Sequence, residues 1–169
     1  ITLVPTINNG KVYLLDLGAN INCDSEILFQ YAVMGSVLAE QIANIKQPKV
    51  ALLNVGSEEI KGNDQIKHTA RLLNASQDIN YIGYVEGNDI FSQKADVIVT
   101  DGFTGNIALK SWEGLVNFAI KEVKTASQHN WLSKIAAKIA TPLLRDIYLR
   151  MKPDQYNGAS LIGLRGIVV

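Results

Sequence analysis

The sequence predicts an α/β fold: a three-layer α/β/α arrangement around a mainly parallel sheet. Two observations carry this. Short, continuously apolar runs alternate with segments of helical period, the pattern of strands buried on both faces and joined by crossover helices. Three of those runs end in loops that combine glycine with polar side chains, as strand ends beside a ligand cleft do in open α/β sheets.

The elements follow in order. Ile1–Thr6 reads as strand-like. Val12–Asp16 is a short apolar run ending in Asp and, two residues on, Gly18. A helix is predicted over about Ser25 to Ile45, where Ile27, Leu28, Tyr31, Met34, Leu38, Ile42 and Ile45 recur at helical steps. Asp24 or Ser25 caps it, and Glu26 suits its first turn. Pro48 closes the connection to a buried-type strand, Val50–Val55, which stops at Gly56. A polar loop, Ser57–Asn63, precedes a helix over Asp64–Ala75. Tyr81–Val85 is a third strand of this kind and Asp96–Thr100 a fourth. A long helix spans about Gly105 to Lys124.

The last third differs. Trp131, Leu132, Ile135, Ile139, Leu143, Leu144, Ile147, Tyr148 and Met151 form one apolar stripe at helical spacing. Five basic residues lie in this region, with only Asp146 opposing, a net +4 in a chain of net zero. Pro142 is expected to kink or split the segment. A basic amphipathic stretch with Trp is the pattern of a membrane-surface element. Burial against the body or in a dimer interface is the alternative. The predicted organisation is an α/β body over 1–125, the basic helical segment over 126–152, and a return to the body over 153–169.

Composition narrows the classes. Of 169 residues, 47% are hydrophobic and 19% charged, the balance of a soluble globular core. Lys plus Arg equals Asp plus Glu at 16 each, which argues against nucleic-acid binding by a generally basic surface. The lone Cys23 cannot form an intrachain disulfide and fits a reducing compartment. No run of about 18 apolar residues is present, and no signal-peptide pattern opens the chain. The first and last residues both read as strand, so a piece of a longer protein is expected. His68, His129 and Cys23 are scattered and predict no metal site.

Asp101-Gly102-Phe103-Thr104-Gly105-Asn106 is the strongest local signal. It joins a strand to a helix, and its glycines let a ligand approach the backbone. A helix start there would offer free N–H groups and a positive dipole end to phosphate or an oxyanion. Its spacing matches neither the P-loop nor the Gly-x-Gly-x-x-Gly fingerprint. The alternative is a glycine turn with Thr104 as helix cap. In a parallel sheet, Asp16-Leu17-Gly18-Ala19-Asn20 and Asn54-Val55-Gly56-Ser57-Glu58-Glu59 lie on the same edge as this corner.

These three loops, the continuation Ile60-Lys61-Gly62-Asn63, and the ending Tyr156–Gly166 closely resemble the bacterial phosphate acyltransferase family, PlsX, over essentially the whole chain. The resemblance implies transfer of an acyl group from acyl carrier protein to inorganic phosphate. The product, acyl phosphate, enters phospholipid synthesis. It implies a cytoplasmic homodimer with peripheral membrane contact, no metal and no cofactor. It also implies a fold similar to the isocitrate and isopropylmalate dehydrogenases and to phosphotransacetylases. Family members are about twice as long, so this piece alone is expected to be inactive.

Phosphate attack on a thioester needs an anion site, oxyanion donors and an exit for the thiolate, but no protein nucleophile. The candidate catalytic groups are Asn106, Thr104 and Lys61. Gly102, Phe103, Gly105, Asp101, Asn20, Gly18, Asn54, Gly56, Asn63 and Lys110 are candidates for phosphate or substrate binding. Structural readings stand beside these: Lys61 paired with Glu58 or Glu59, Asp16 and Asp101 as caps, Asn20 and Asn54 as loop ties. Trp131, Leu132, Ile135, Ile139, Leu143 and Leu144 are the candidate membrane contacts. Two other functions remain open at this point: a short-chain phosphotransacetylase acting on acyl-coenzyme A, and a non-catalytic dimerising or membrane-contacting scaffold.

Overall fold

The computed structural model describes residues 1–128 and 130–151. His129, Lys152, the expected return to the body and the Tyr156–Gly166 motif lie outside the described residues. The elements are β1 (Thr2–Pro5), β2 (Lys11–Leu15), α1 (Ser25–Ala43), β3 (Lys49–Leu53), α2 (Asp64–Ala75), β4 (Asn80–Val85), β5 (Val97–Val99), α3 (Gly102–Ser127) and α4 (Trp131–Met151). They divide into two units, one holding residues 1–108 and the other beginning at Leu109.

The first unit is built on a five-stranded sheet in the order β1-β2-β5-β3-β4. β1 pairs antiparallel with β2, and all the other pairs are parallel. This is the α/β class the apolar runs predict. Alternate residues of the inner strands are buried on both faces: Val12, Leu14, Ala51 and Ile98 on one, Tyr13, Leu15, Val50, Leu52, Val97 and Val99 on the other. The second set joins Leu28, Ala32, Ala39, Ile66, Ala70 and Leu73 of α1 and α2 in one core cluster.

α1 departs from the expected packing. Its fully buried positions are Leu28, Ala32, Gly35, Ser36 and Ala39, whereas Ile42 is exposed. The reason is distance. A Cβ at Gly35 would stand 2.5 Å from Val97 Cγ1, so small residues set how closely the helix lies on the sheet. The helix also stops two residues before Ile45. Asn44 turns left-handed at φ 54°, a conformation Asn tolerates, and the Ile45 N–H closes on Ala39 O.

The helix starts are side-chain caps. Asp24 accepts the Ile27 N–H at 2.8 Å, Asn63 the Ile66 N–H at 2.9 Å, and Asn130 the Ser133 N–H at 2.7 Å. In the second unit α4 is not split at Pro142. It stays helical from Trp131 to Met151, and the Thr141 hydroxyl donates to Ala137 O one turn back. None of its residues is buried.

Replacing Gly35 with Leu forces side-chain volume into the helix–sheet contact. It is expected to lower stability by about 1–3 kcal/mol, the cost of overpacking. The urea midpoint should fall with the slope unchanged.

Candidate functional site

β2, β5 and β3 are consecutive and parallel in the sheet, so the loops that leave their carboxyl ends stand side by side. The β2–β5 ladder runs right up to this edge: Asp16 N–H donates to Thr100 O at 2.9 Å, and Thr100 N–H to Leu15 O.

The loop after β2 closes around its own first residue. Asp16 is 7% exposed. Its Oδ1 accepts the N–H groups of Leu17, Gly18 and Ala19, and its Oδ2 accepts that of Asn20 at 2.7 Å. A run of backbone N–H groups of this kind is an anion nest, and here the anion is built in.

The corner after β5 begins its helix at Gly102, three residues before the expected Gly105. The cap is Asp101, not Thr104. Asp101 accepts the Thr104 N–H at 2.7 Å and the Thr104 hydroxyl at 2.9 Å. Gly105 N–H closes on the Asp101 carbonyl, and Gly102 N–H donates to Asn20 O at 2.8 Å. These first-turn donors therefore have partners within the protein. Gly102 and Gly105 serve a close approach, not positive φ. A Cβ at Gly102 would lie 2.6 Å from Asn20 O, and one at Gly105 would overlap the Asp16 carbonyl. The glycines bring the helix start onto the neighbouring loop.

In the loop after β3, the Asn54 amide donates to Gly56 O at 3.0 Å and Lys61 O at 3.3 Å. Asn54 is thus the loop tie expected of it, and Asn63 is the α2 cap. Gly56 is buried under Lys61 and Glu58. Lys61 Nζ meets Glu58 at 2.9 Å, with both side chains about half exposed. Each hydrogen-bonds the other, lowering the Glu58 pKa and raising that of Lys61.

Asn106 is exposed beside Gly18, whose Cβ position would lie 3.8 Å from the Asn106 side chain. No side-chain hydrogen bond of Asn106 is found among the described residues. Phe103 is 58% exposed. Lys110 belongs to the second unit and pairs there with Glu113 at 2.8 Å.

Two features escaped the sequence reading. Tyr31, read only as part of an apolar stripe, extends its hydroxyl into the β2 loop, where it meets the Asn20 amide at 2.5 Å and Asp16 Oδ2 at 3.4 Å. Burial pushes this hydroxyl up to about 12. The unfolded value is near 10, so the protonated form favours the fold below that pH, and the advantage is lost as pH rises toward 12. Second, the strand-end edge displays large apolar residues: Ile21, Val55, Ile60, Phe103 and Ile107, from 49% to 83% exposed.

No cluster of metal-ligating residues occurs among the described residues. No helix among them is long and apolar enough to cross a membrane.

A family model described as fatty acid synthesis protein matches residues 1–169. The chain is 64% identical over its full length to a phosphate acyltransferase of Pseudoalteromonas atlantica, of which it covers 50%. It is 53% identical to one from Moritella marina, again covering 50%, and 56% identical to one from Shewanella halifaxensis, covering 49%. The chain thus spans about half the length of the curated relatives it matches.

Asp101→Ala removes the α3 cap and is expected to cost about 0.5–2 kcal/mol. Thermal melting should show the loss, and Asp101→Asn should recover most of it.

Proposed function

The chain belongs to the fatty acid synthesis protein family, and we propose that the whole protein transfers a fatty acyl group from acyl carrier protein to inorganic phosphate. The product is acyl phosphate for phospholipid synthesis. The relatives' printed name, phosphate acyltransferase, supports the reaction class. The observation that carries the reading is the mixed character of one sheet edge. An exposed amide and an exposed lysine, Asn106 and Lys61, share it with the exposed apolar side chains Ile21, Val55, Ile60, Phe103 and Ile107. A polar spot beside an apolar bed suits an anion meeting a long hydrocarbon thioester. The same bed speaks against a short acetyl-type donor.

In the proposed reaction a phosphate oxygen bonds to the thioester carbonyl carbon. The carbon–sulfur bond breaks, and the thiolate leaves on the carrier. Phosphate is itself the nucleophile, so no side chain needs to be acylated. Lys61 and the Asn106 amide hold the phosphate. Thr104 enters through the Asp101 cap that fixes the first turn of α3. Asp101, Gly102, Gly105, Gly18, Asn20, Asn54, Gly56 and Asn63 shape the edge rather than contact the reacting atoms.

We propose further that α4 docks on a membrane surface, where acyl phosphate would be handed on. Trp131, Leu132, Ile135, Ile139, Leu143 and Leu144 are all exposed, with Lys134, Lys138, Arg145 and Arg150 on the same helix. A homodimer belongs to this reading by resemblance alone.

Thioester loss from acyl carrier protein by the intact protein should require phosphate and yield a hydroxylamine-trappable product. Absence of phosphate dependence would overturn the reading. Asn106→Ala and Lys61→Ala should each raise the phosphate KM on the order of tenfold, the loss of a hydrogen bond to a charged ligand. Phe103→Ser should lower kcat/KM for long-chain donors about tenfold and leave short-chain donors nearly unchanged.

The membrane reading predicts co-sedimentation with anionic vesicles. Binding should weaken at high salt and disappear in Ile139→Glu/Leu143→Glu.

A further inference from the structure

We propose that Tyr31 is a positioning residue for the strand-end site, acting through Asn20 on the first turn of α3. The inference rests on the acyl-transfer reading and deepens it.

Tyr31 lies on α1, with its ring packed against the core cluster. Its hydroxyl leaves that core and enters the β2 loop. There it accepts the hydrogen bond of Asn20 Nδ2 at 2.5 Å and donates to Asp16 Oδ2 at 3.4 Å. The direction follows from the groups. An amide nitrogen only donates, and Asp16 is already gathering backbone N–H groups, so the hydroxyl proton goes to Asp16.

Asn20 is consequently held on every side. Its N–H is bound by Asp16 Oδ2 at 2.7 Å and its side chain by Tyr31. Its carbonyl accepts Gly102 N–H at 2.8 Å and the Cys23 thiol at 3.4 Å. The Gly102 bond fixes where α3 begins, and with it Phe103 and Asn106. Asp16 alone sets the backbone of the loop, but nothing else among the described residues holds the Asn20 side chain. A rigid helix thereby reaches across the sheet edge through one hydroxyl. The ring is packing, and the oxygen is placement.

Tyr31→Phe separates the two, because it keeps the ring and deletes the link. In the intact protein, with acyl carrier thioester saturating, the variant should raise the phosphate KM about fivefold, the size of one lost neutral hydrogen bond, with kcat within about twofold. Asn20→Ala should do the same, and the double variant should add little beyond either. A second measurement does not need activity. Cys23 is 8% exposed and held to Asn20 O. Its labelling by a thiol reagent, read by mass spectrometry of its peptide, should be several-fold faster in Asn20→Ala, which leaves the direct Tyr31–Cys23 interaction in place, while the urea midpoint stays close to wild type.

An unchanged phosphate KM overturns the positioning role whatever the stability does. If the wild-type protein shows no transfer at all, the acyl-transfer reading fails instead. The labelling rate then decides the structural claim alone: acceleration upholds the Tyr31–Asn20 anchor, and an unchanged rate overturns it.

Discussion

Asp16 accepts four successive backbone N–H groups at the end of β2. A nearly buried carboxylate is costly unless it is hydrogen-bonded, and donors of this kind are what make it tolerable. The loop therefore closes around it, and the closure turns the Asn20 carbonyl outward to take the Gly102 N–H. α3 can begin there only because Gly102 and Gly105 carry no side chain, since a Cβ on either would press into Asn20 or Asp16. The first turn of α3 is placed by this contact, and so are Phe103 and Asn106. The chain of causes runs from one carboxylate to the start of α3.

Much of this fold can be read from the residues. The apolar runs ending at Leu15, Leu53 and Val99 announce parallel strands because both of their faces are buried, and the edge strand ending at Val85 is read from its β-branched and aromatic residues. α2 is legible to its ends because Asn63 is a strong cap and its apolar period is clean. The errors have a common origin in tertiary contact. The Asp101–Asn106 stretch reads as a turn because glycine pairs punctuate loops locally, and only the neighbouring loop explains why they sit in a helical turn. On α1 the large residues outline a stripe, yet the sheet is met by Ala32, Gly35 and Ala39, since close approach selects small side chains there. Tyr31 was illegible as a site residue for a simpler reason. Its spacing is that of a core position, and nothing local reveals where a ring's oxygen will end.

α4 presents a different balance. Its apolar residues are exposed along a continuous helix that contains Pro142. A proline there forfeits one helical hydrogen bond and crowds the preceding turn, yet the chain keeps its helical course. The exposure of Trp131, Ile139 and Leu143 is too large and too regular to be scattered surface apolarity. The basic residues between them favour an anionic apolar surface over a purely hydrocarbon one, which is the basis for proposing a membrane rather than a protein core as the complement.

The filled nest bears on how phosphate would be recognised. A bare helix start or an empty nest binds anions through backbone donors alone, and any phosphate ester suits it. Here Asp16 occupies one cradle and Asp101 caps the other, so two carboxylates stand close to where phosphate is proposed to sit. Their charges oppose a second anion at the same backbone donors. In the proposed reading recognition then falls to side chains, the exposed Asn106 after β5 and Lys61 in the loop after β3. In return the backbone donors of these loops have partners within the protein. In the proposed reading little of the binding energy would then be spent on folding the edge.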